Sequence, residues 1–312
     1  MCELVPTRQD CTPHPVSQFL RQPPLQRGLG ARLSSRAHTF SRHPFTGIDM
    51  ATPAAQVSLQ TRPREPIYVF GADMSGDFSQ ASAAVAVRLY GADTEVGVGA
   101  SGHAYAIPYR NSDGEVLSFG ALAPHIAAFL SYARAHPDES FMVARFACET
   151  GASDDATMVR HFSRVPPNCQ LPGLWQRHID AKMAVRLLVF DPFARFKDSY
   201  WQDKLKRYLS LNAATCNGAQ VELVSVGAAR SIVANDMAAK RLGLKHRVFG
   251  PNEAFFDKEA VAAAEIKAMW YSTHFLSLCD FRQTVQPQQF RVTSEAIRTG
   301  LVVDQLEVEA DA

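Results

Sequence analysis

The chain of 312 residues is 46% hydrophobic and 20% charged, the balance of an ordinary globular protein with room for two cores. Lysine and arginine number 32 against 31 aspartates and glutamates, so no global field draws it onto nucleic acid or an acidic membrane, and polyanion binding would need a local patch. No apolar run approaches the ~20 residues of a membrane-spanning helix, and no charged-then-apolar amino-terminal signal is visible, so a cytoplasmic protein is expected.

Residues 1–60 are expected to be disordered: Met1–Asp49 is rich in Arg, Pro, Ser and His and lacks the apolar periodicity that would offset ordering entropy. Met50 opens MATPAAQVSLQ and reads as a natural start. An organelle presequence is the alternative, one that Asp10, Cys11 and the QPPLQ run suit poorly. The next feature is IYVFGADMSGDFSQASAAVAVRLY, Ile67–Tyr90. A short apolar strand breaks at Gly71 into a small-residue loop and enters an alanine-rich helix, which places backbone amides where nucleotide-type anions are held.

Further extended pieces are expected at Tyr105–Ile107 and Phe141–Phe146. Between them Leu122, Ile126, Phe129, Leu130 and Ala133 recur at helical spacing, and His136–Pro137 closes the helix. A looser helix is expected over Ala156–Phe162, before the turn-rich VPPNCQLPG, and a boundary at Leu174–Ala184. The alternation then restarts. Strands are expected at Leu187–Phe190, Val221–Val226, Arg247–Phe249 and Phe275–Leu278, with helices about Tyr200–Leu211, Val233–Leu242 and Ala260–Tyr271. Gln283–Ala312 reads as a polar tail with an extended piece at Phe290–Val292, a short helix capped by Ser294 and a solvated acidic end, EVEADA. The six cysteines and ten histidines form no metal-ligand spacing, so no metal is expected and the thiols read as buried.

Two resemblances rest on these segments. VFGADMSGDFSQASAA, GVGASGHAYAIP, YARAHP with FMVARFAC, and VPPNCQLPGLW, within residues 67–175, resemble a phage-associated family with a macrodomain-like fold. LLVFDPFARFKD, VELVSVGAAR, AAKRLGLKHRVFGP and FLSLCD, within residues 185–280, are more faintly similar to the Rossmann-like superfamily of DNA-processing proteins and nucleotide phosphoribohydrolases. The first resemblance implies a pocket for ADP-ribose walled by the loop after the first strand and the loop near Cys148–Ala152.

Both segments depart from those families at the ligand. In the first, relatives carry Asn where Asp73 stands, Arg-His where Asp77 and Phe78 stand, and glycines where Ser79 and Ala81 stand. A Cβ obstructs close approach to phosphate, and added carboxylates repel it. Glu149 and Thr150 bring bulk, and Glu149 a charge, where relatives have a glycine-rich run. In the second, Asp191 and Pro192 replace a Gly-Ser pair, putting negative charge and a missing amide hydrogen at the phosphate seat.

The residues also admit plainer roles. Asp73 either orients a ligand or closes an Asx turn; Ser75 and Ser82 either donate to a ligand or serve as small residues at a helix start. Arg230 either grips phosphate or stands solvated. Cys148 has no neighbouring histidine to activate it and reads as packing rather than nucleophile. Tyr105 either stacks on a base or fills core, while Trp175, Trp201 and Trp270 fill cores.

The expected architecture is α/β: two tandem three-layer α/β domains, the first macrodomain-like at 61–180, the second Rossmann-like with a mainly parallel sheet at 181–282, and a tail at 283–312. The expected ligand-binding residues are Gly71, Asp73, Ser75, Gly76, Ser82, Glu149 and Gly151 in the first domain, and Gly227 and Arg230 in the second. No catalytic residue, cofactor or protein partner is assigned. The expected function is a phage or prophage-type protein that binds an ADP-ribose-like or other nucleotide metabolite through eroded phosphate loops. The alternatives are a non-catalytic interaction protein that has lost its ligand and a hydrolase of ADP-ribosyl or N-glycosidic bonds using Asp73, Asp77 or Glu149.

Overall fold

The computed structural model describes residues 64–79, 81–191, 198–212, 220–280 and 284–308. The expectations for residues 1–60, with the start at Met50, and for Pro192 lie outside the described residues. The described residues form one compact unit built on two mainly parallel sheets. Among the described residues no helix is long and apolar enough to cross a membrane.

The first sheet has five strands in the order β2-β3-β1-β4-β5: β1 (Ile67–Asp73), β2 (Gly99–Ser101), β3 (Ala104–Arg110), β4 (Phe141–Val143) and β5 (Cys169–Gln170). All neighbours run parallel except β2 against β3. Residues of β1 alternate between faces, as a central strand must. Tyr68, Phe70 and Ala72 enter one core, and Val69 enters the other. The strand does not break at Gly71 as expected but runs through it to Asp73, and glycine stands there for a packing reason, since a Cβ would lie 2.5 Å from Phe146 Cβ. Helix α1 (Ala81–Tyr90) covers the first face. On the second lie α2 (Phe119–Ala135), α3 (Asp155–His161) and α4 (Gly173–Ile179). The buried stripe of α2 is Leu122, Ile126, Phe129, Leu130 and Ala133, as its spacing predicts, and Ser118 Oγ caps its start by accepting from Ala121 N.

The second sheet is wholly parallel, in the order β10-β9-β6-β7-β8. Its strands are β6 (Val185–Phe190), β7 (Val221–Val226), β8 (Lys245–Phe249), β9 (His274–Cys279) and β10 (Val302–Glu307), with helices α5 (Asp198–Leu211), α6 (Ala229–Leu242), α7 (Glu253–Phe256), α8 (Ala260–Tyr271) and α9 (Pro287–Arg298). Here the tail expected at 283–312 is corrected. Phe290–Val292 is helical and Ser294 lies inside α9 rather than capping it, while Val302–Glu307 pairs with β9 along its whole length. Of the EVEADA end, Glu307 closes β10 and Val308 is fully buried. Gln289, Val292 and Ala296 form the buried side of α9, a stripe diluted by polar residues and so easily read as tail.

The two cores also differ from independent tandem domains, because α8 belongs to both. Ala263, Ile266 and Trp270 pack with Tyr68 and Phe70 of the first sheet, while Ala264, Ala268 and Met269 pack with Leu188, Val224 and Phe275 of the second. Most of α8 is buried, Val261 being exposed near its start, and its alanines let two sheets approach it. Gly173 at the start of α4 abuts the carbonyls that end α8, where a Cβ would stand 2.5 Å from Ser272 O.

Candidate functional site

In the first sheet the strand order reverses between β1 and β4, the position at which parallel α/β sheets open a crevice at their carboxyl ends. A cavity of about 230 Å3 lies there, lined among others by Gly71, Asp73, Asp77, Ser82, Arg110 and Glu149. The fold therefore brings four of the expected residues, Gly71, Asp73, Ser82 and Glu149, to one place.

The loop leaving β1 closes on itself. Asp73 Oδ1 accepts from Ser75 N at 2.8 Å, an Asx turn, and Gly76 N donates to Asp73 O at 3.1 Å with Gly76 in the left-handed region at φ 87°. Asp77 Oδ1 accepts from Ser79 N at 2.9 Å and from its hydroxyl, bonds that hold the exposed Asp77 carboxyl below its usual range. The Ser75 and Ser79 amides are thus turned to their own loop.

The amide at the start of α1 is occupied as well. Ser82 N donates to Glu149 Oε1 at 2.8 Å, and Arg298 Nη1, from α9, donates to Glu149 Oε2 at 3.2 Å. The Glu149 side chain is only 1% exposed. Burial pushes its carboxyl above the ordinary value, against the pull of Ser82 and Arg298 in the other direction. An internal carboxylate therefore sits where an anionic ligand would, satisfying the helix start in the way a bound anion does.

The remaining cavity is poor in positive charge. Among the described residues that line it, three carboxylates, Asp73, Asp77 and Glu149, stand against one guanidinium, Arg110, whose Nη1 donates to Gly114 O at 2.7 Å. Its volume also falls below the roughly 300–1,000 Å3 usual for ligand pockets.

Backbone strain marks the same place. Ala81 opens α1 at φ 50°, and Ala147, ahead of Glu149, stands at φ 63°, conformations in which a Cβ costs about 1–3 kcal/mol. Ala81→Gly is expected to stabilise the fold by roughly 1 kcal/mol, raising the melting temperature by about 2–4 °C. A fall in melting temperature would show that Ala81 is not strained.

The other expected residues lie elsewhere. Ser75 and Gly76 are exposed on the loop, and Gly151 forms a turn after Glu149 at φ 71°, its amide donating to Cys148 O. Gly227 and Arg230 belong to the second sheet, exposed at the end of β7 and in the first turn of α6. That mouth repeats the theme, since Ser231 Oγ in the first turn of α6 donates to Asp191 Oδ2 at 3.0 Å.

Cys148 is buried, and burial pushes its thiol up to about 12, which suits packing and not attack. Tyr105 packs its ring 5.2 Å from Phe129 and 5.0 Å from Tyr132 in the core. Trp175 and Trp201 are buried with their indole N–H groups bonded to Asp155 and Asn235, and Trp270 is buried in the first core between the sheet and α8.

Two features carry no local signal in the sequence. Arg298, the partner of Glu149, lies 149 residues further along the chain in the segment read as tail. Ser225, His246 and Asp236 are linked in the order of a Ser–His–Asp relay, at 2.9 and 3.4 Å. Ser225 is only 1% exposed, however, and its oxygen also accepts from Asn235 Nδ2, so the group ties β7, β8 and α6 together and offers no substrate access. Among the described residues no cluster of three His, Cys, Asp or Glu side chains is placed to hold a metal ion. No family model, no curated protein and no solved structure matches this chain, so the functional reading rests on the geometry of its own residues.

Proposed function

We propose that this chain is a non-catalytic interaction protein, built on α/β sheets of nucleotide-binding type whose ligand mouths its own carboxylates have filled. The observation that supports it is Glu149, buried on the Ser82 amide and held there by Arg298. A diphosphate entering this mouth would have to displace a carboxylate from both donors and approach Asp73 and Asp77. Asp191 at Ser231 argues the same for the second mouth.

The reading as a phage or prophage-type protein that binds an ADP-ribose-like metabolite keeps one support of its own. The cavity stands at the reversal point of a parallel sheet beside a helix start, and the strand order of the second sheet supports its Rossmann-like reading. That reading requires Glu149 to swing out. Calorimetric titration with ADP-ribose, NAD, AMP and cyclic nucleotides separates the two. The interaction protein gives no heat across the panel, whereas saturable heat with ADP-ribose that vanishes in Gly76→Glu would overturn it in favour of the metabolite binder.

A further inference from the structure

Between α1, α8 and α9 lies another cavity, of about 300 Å3. Its floor is apolar, formed by Val85 of α1 and by Ile266 and Met269 of α8, all buried. Its rim is cationic, with Arg88 from α1 and Arg291 and Arg298 from α9. Two carboxylates also line it, and both are engaged. Glu265 accepts from Arg291 Nη2 at 2.6 Å and from Gln288 Nε2 at 3.3 Å, and Glu295 accepts from Arg298. Arg298 is tied to Glu149 besides. Arg88 has no carboxylate partner among the described residues, and the Arg291 side chain, 55% exposed, keeps further donors open to the cleft.

We propose that this cleft binds a small monocarboxylate whose apolar body is about the size of one aromatic ring. The head follows from charge. Arg88 is the one guanidinium of the three without a carboxylate partner among the described residues, which matches a single carboxylate and not the two charges of a phosphate monoester, and guanidinium and carboxylate pair in a charge-assisted, directional way. The body follows from Val85, Ile266 and Met269, which gain from covering an apolar ring and nothing from covering a sugar. The size follows from the volume, at the lower end for small-molecule sites and too small for a dinucleotide. Arg298 touches the mouth beside Asp73 through Glu149, but Arg88 and the apolar floor, which carry the proposal, line this cleft and not that mouth.

Three molecules of nearly equal shape test it: 3-phenylpropionate, 3-phenylpropanol and 3-phenylpropylamine, titrated into the whole chain by ligand-observed NMR. The carboxylate is expected to saturate, the alcohol to bind at least about tenfold more weakly, and the amine not to bind. Arg88→Ala, at an exposed position that keeps the fold, weakens the carboxylate about tenfold, and Ala84→Phe, which fills the cleft from its rim, removes binding. Equal binding of all three, no saturation by the carboxylate, or an unchanged affinity in Arg88→Ala would overturn the proposal. Because the nucleotide panel contains no ring-borne monocarboxylate, failure here leaves the reading of the mouth untouched, and the reverse holds.

Discussion

Glu149→Ala is expected to destabilise the fold by about 3 kcal/mol, lowering the melting temperature by roughly 6–10 °C. The substitution leaves the Ser82 amide without its acceptor and takes from Arg298 one of two carboxylates, while opening a space where a side chain 1% exposed had stood. Arg298 keeps Glu295, which holds the cost below that of a fully orphaned buried charge. Glu149→Gln separates the two contributions. The amide oxygen still accepts from Ser82 N and the side chain sheds the desolvation that pushes the carboxyl upward, while its NH2 cannot accept from Arg298, so the substitution is expected to cost less than Glu149→Ala but not nothing. Urea unfolding of both variants checks this. A change within ~0.5 kcal/mol for Glu149→Ala, the range of an ordinary surface substitution, would mean that Glu149 is a bystander and not the occupant of the mouth.

Gly173→Ala is expected to cost about 2–4 kcal/mol, since overpacking a tight joint forces the backbone to move. The added methyl would stand 2.5 Å from Ser272 O and closer still to Tyr271 O. Neither carbonyl has a rotamer to escape through, and both end the helix that the two cores share. The control is Gly120→Ala in α2, where a Cβ meets nothing within 4 Å and alanine gains helix propensity, so stability should rise by up to ~1 kcal/mol. Equal melting temperatures for the two variants would show that the sheets are not locked together at Gly173.

Much of the layering was legible because its cause is local. The α2 stripe and the span of α8 follow from period alone, since an apolar face at helical spacing buries the same residues whatever covers it. Glu149 was legible as bulk and charge in the loop after β4. Its seat on the Ser82 amide was not, because that seat depends on Arg298 reaching it from α9. Gly71 reads as the point where the first strand breaks, whereas the strand continues through it to Asp73, and the glycine is there because a Cβ would meet Phe146.

Local pattern by itself determined the alternation of strand and helix, the alanine-rich helix after Asp73 and the position of an anion-accepting helix start, because each depends on residues within a turn or two of one another. Only the folded chain decided that β10 completes the second sheet, that α8 serves two cores and that the helix start is already filled. Those outcomes rest on contacts between distant segments, and hydrogen bonds and ion pairs formed across such distances leave no periodicity in the residues that make them.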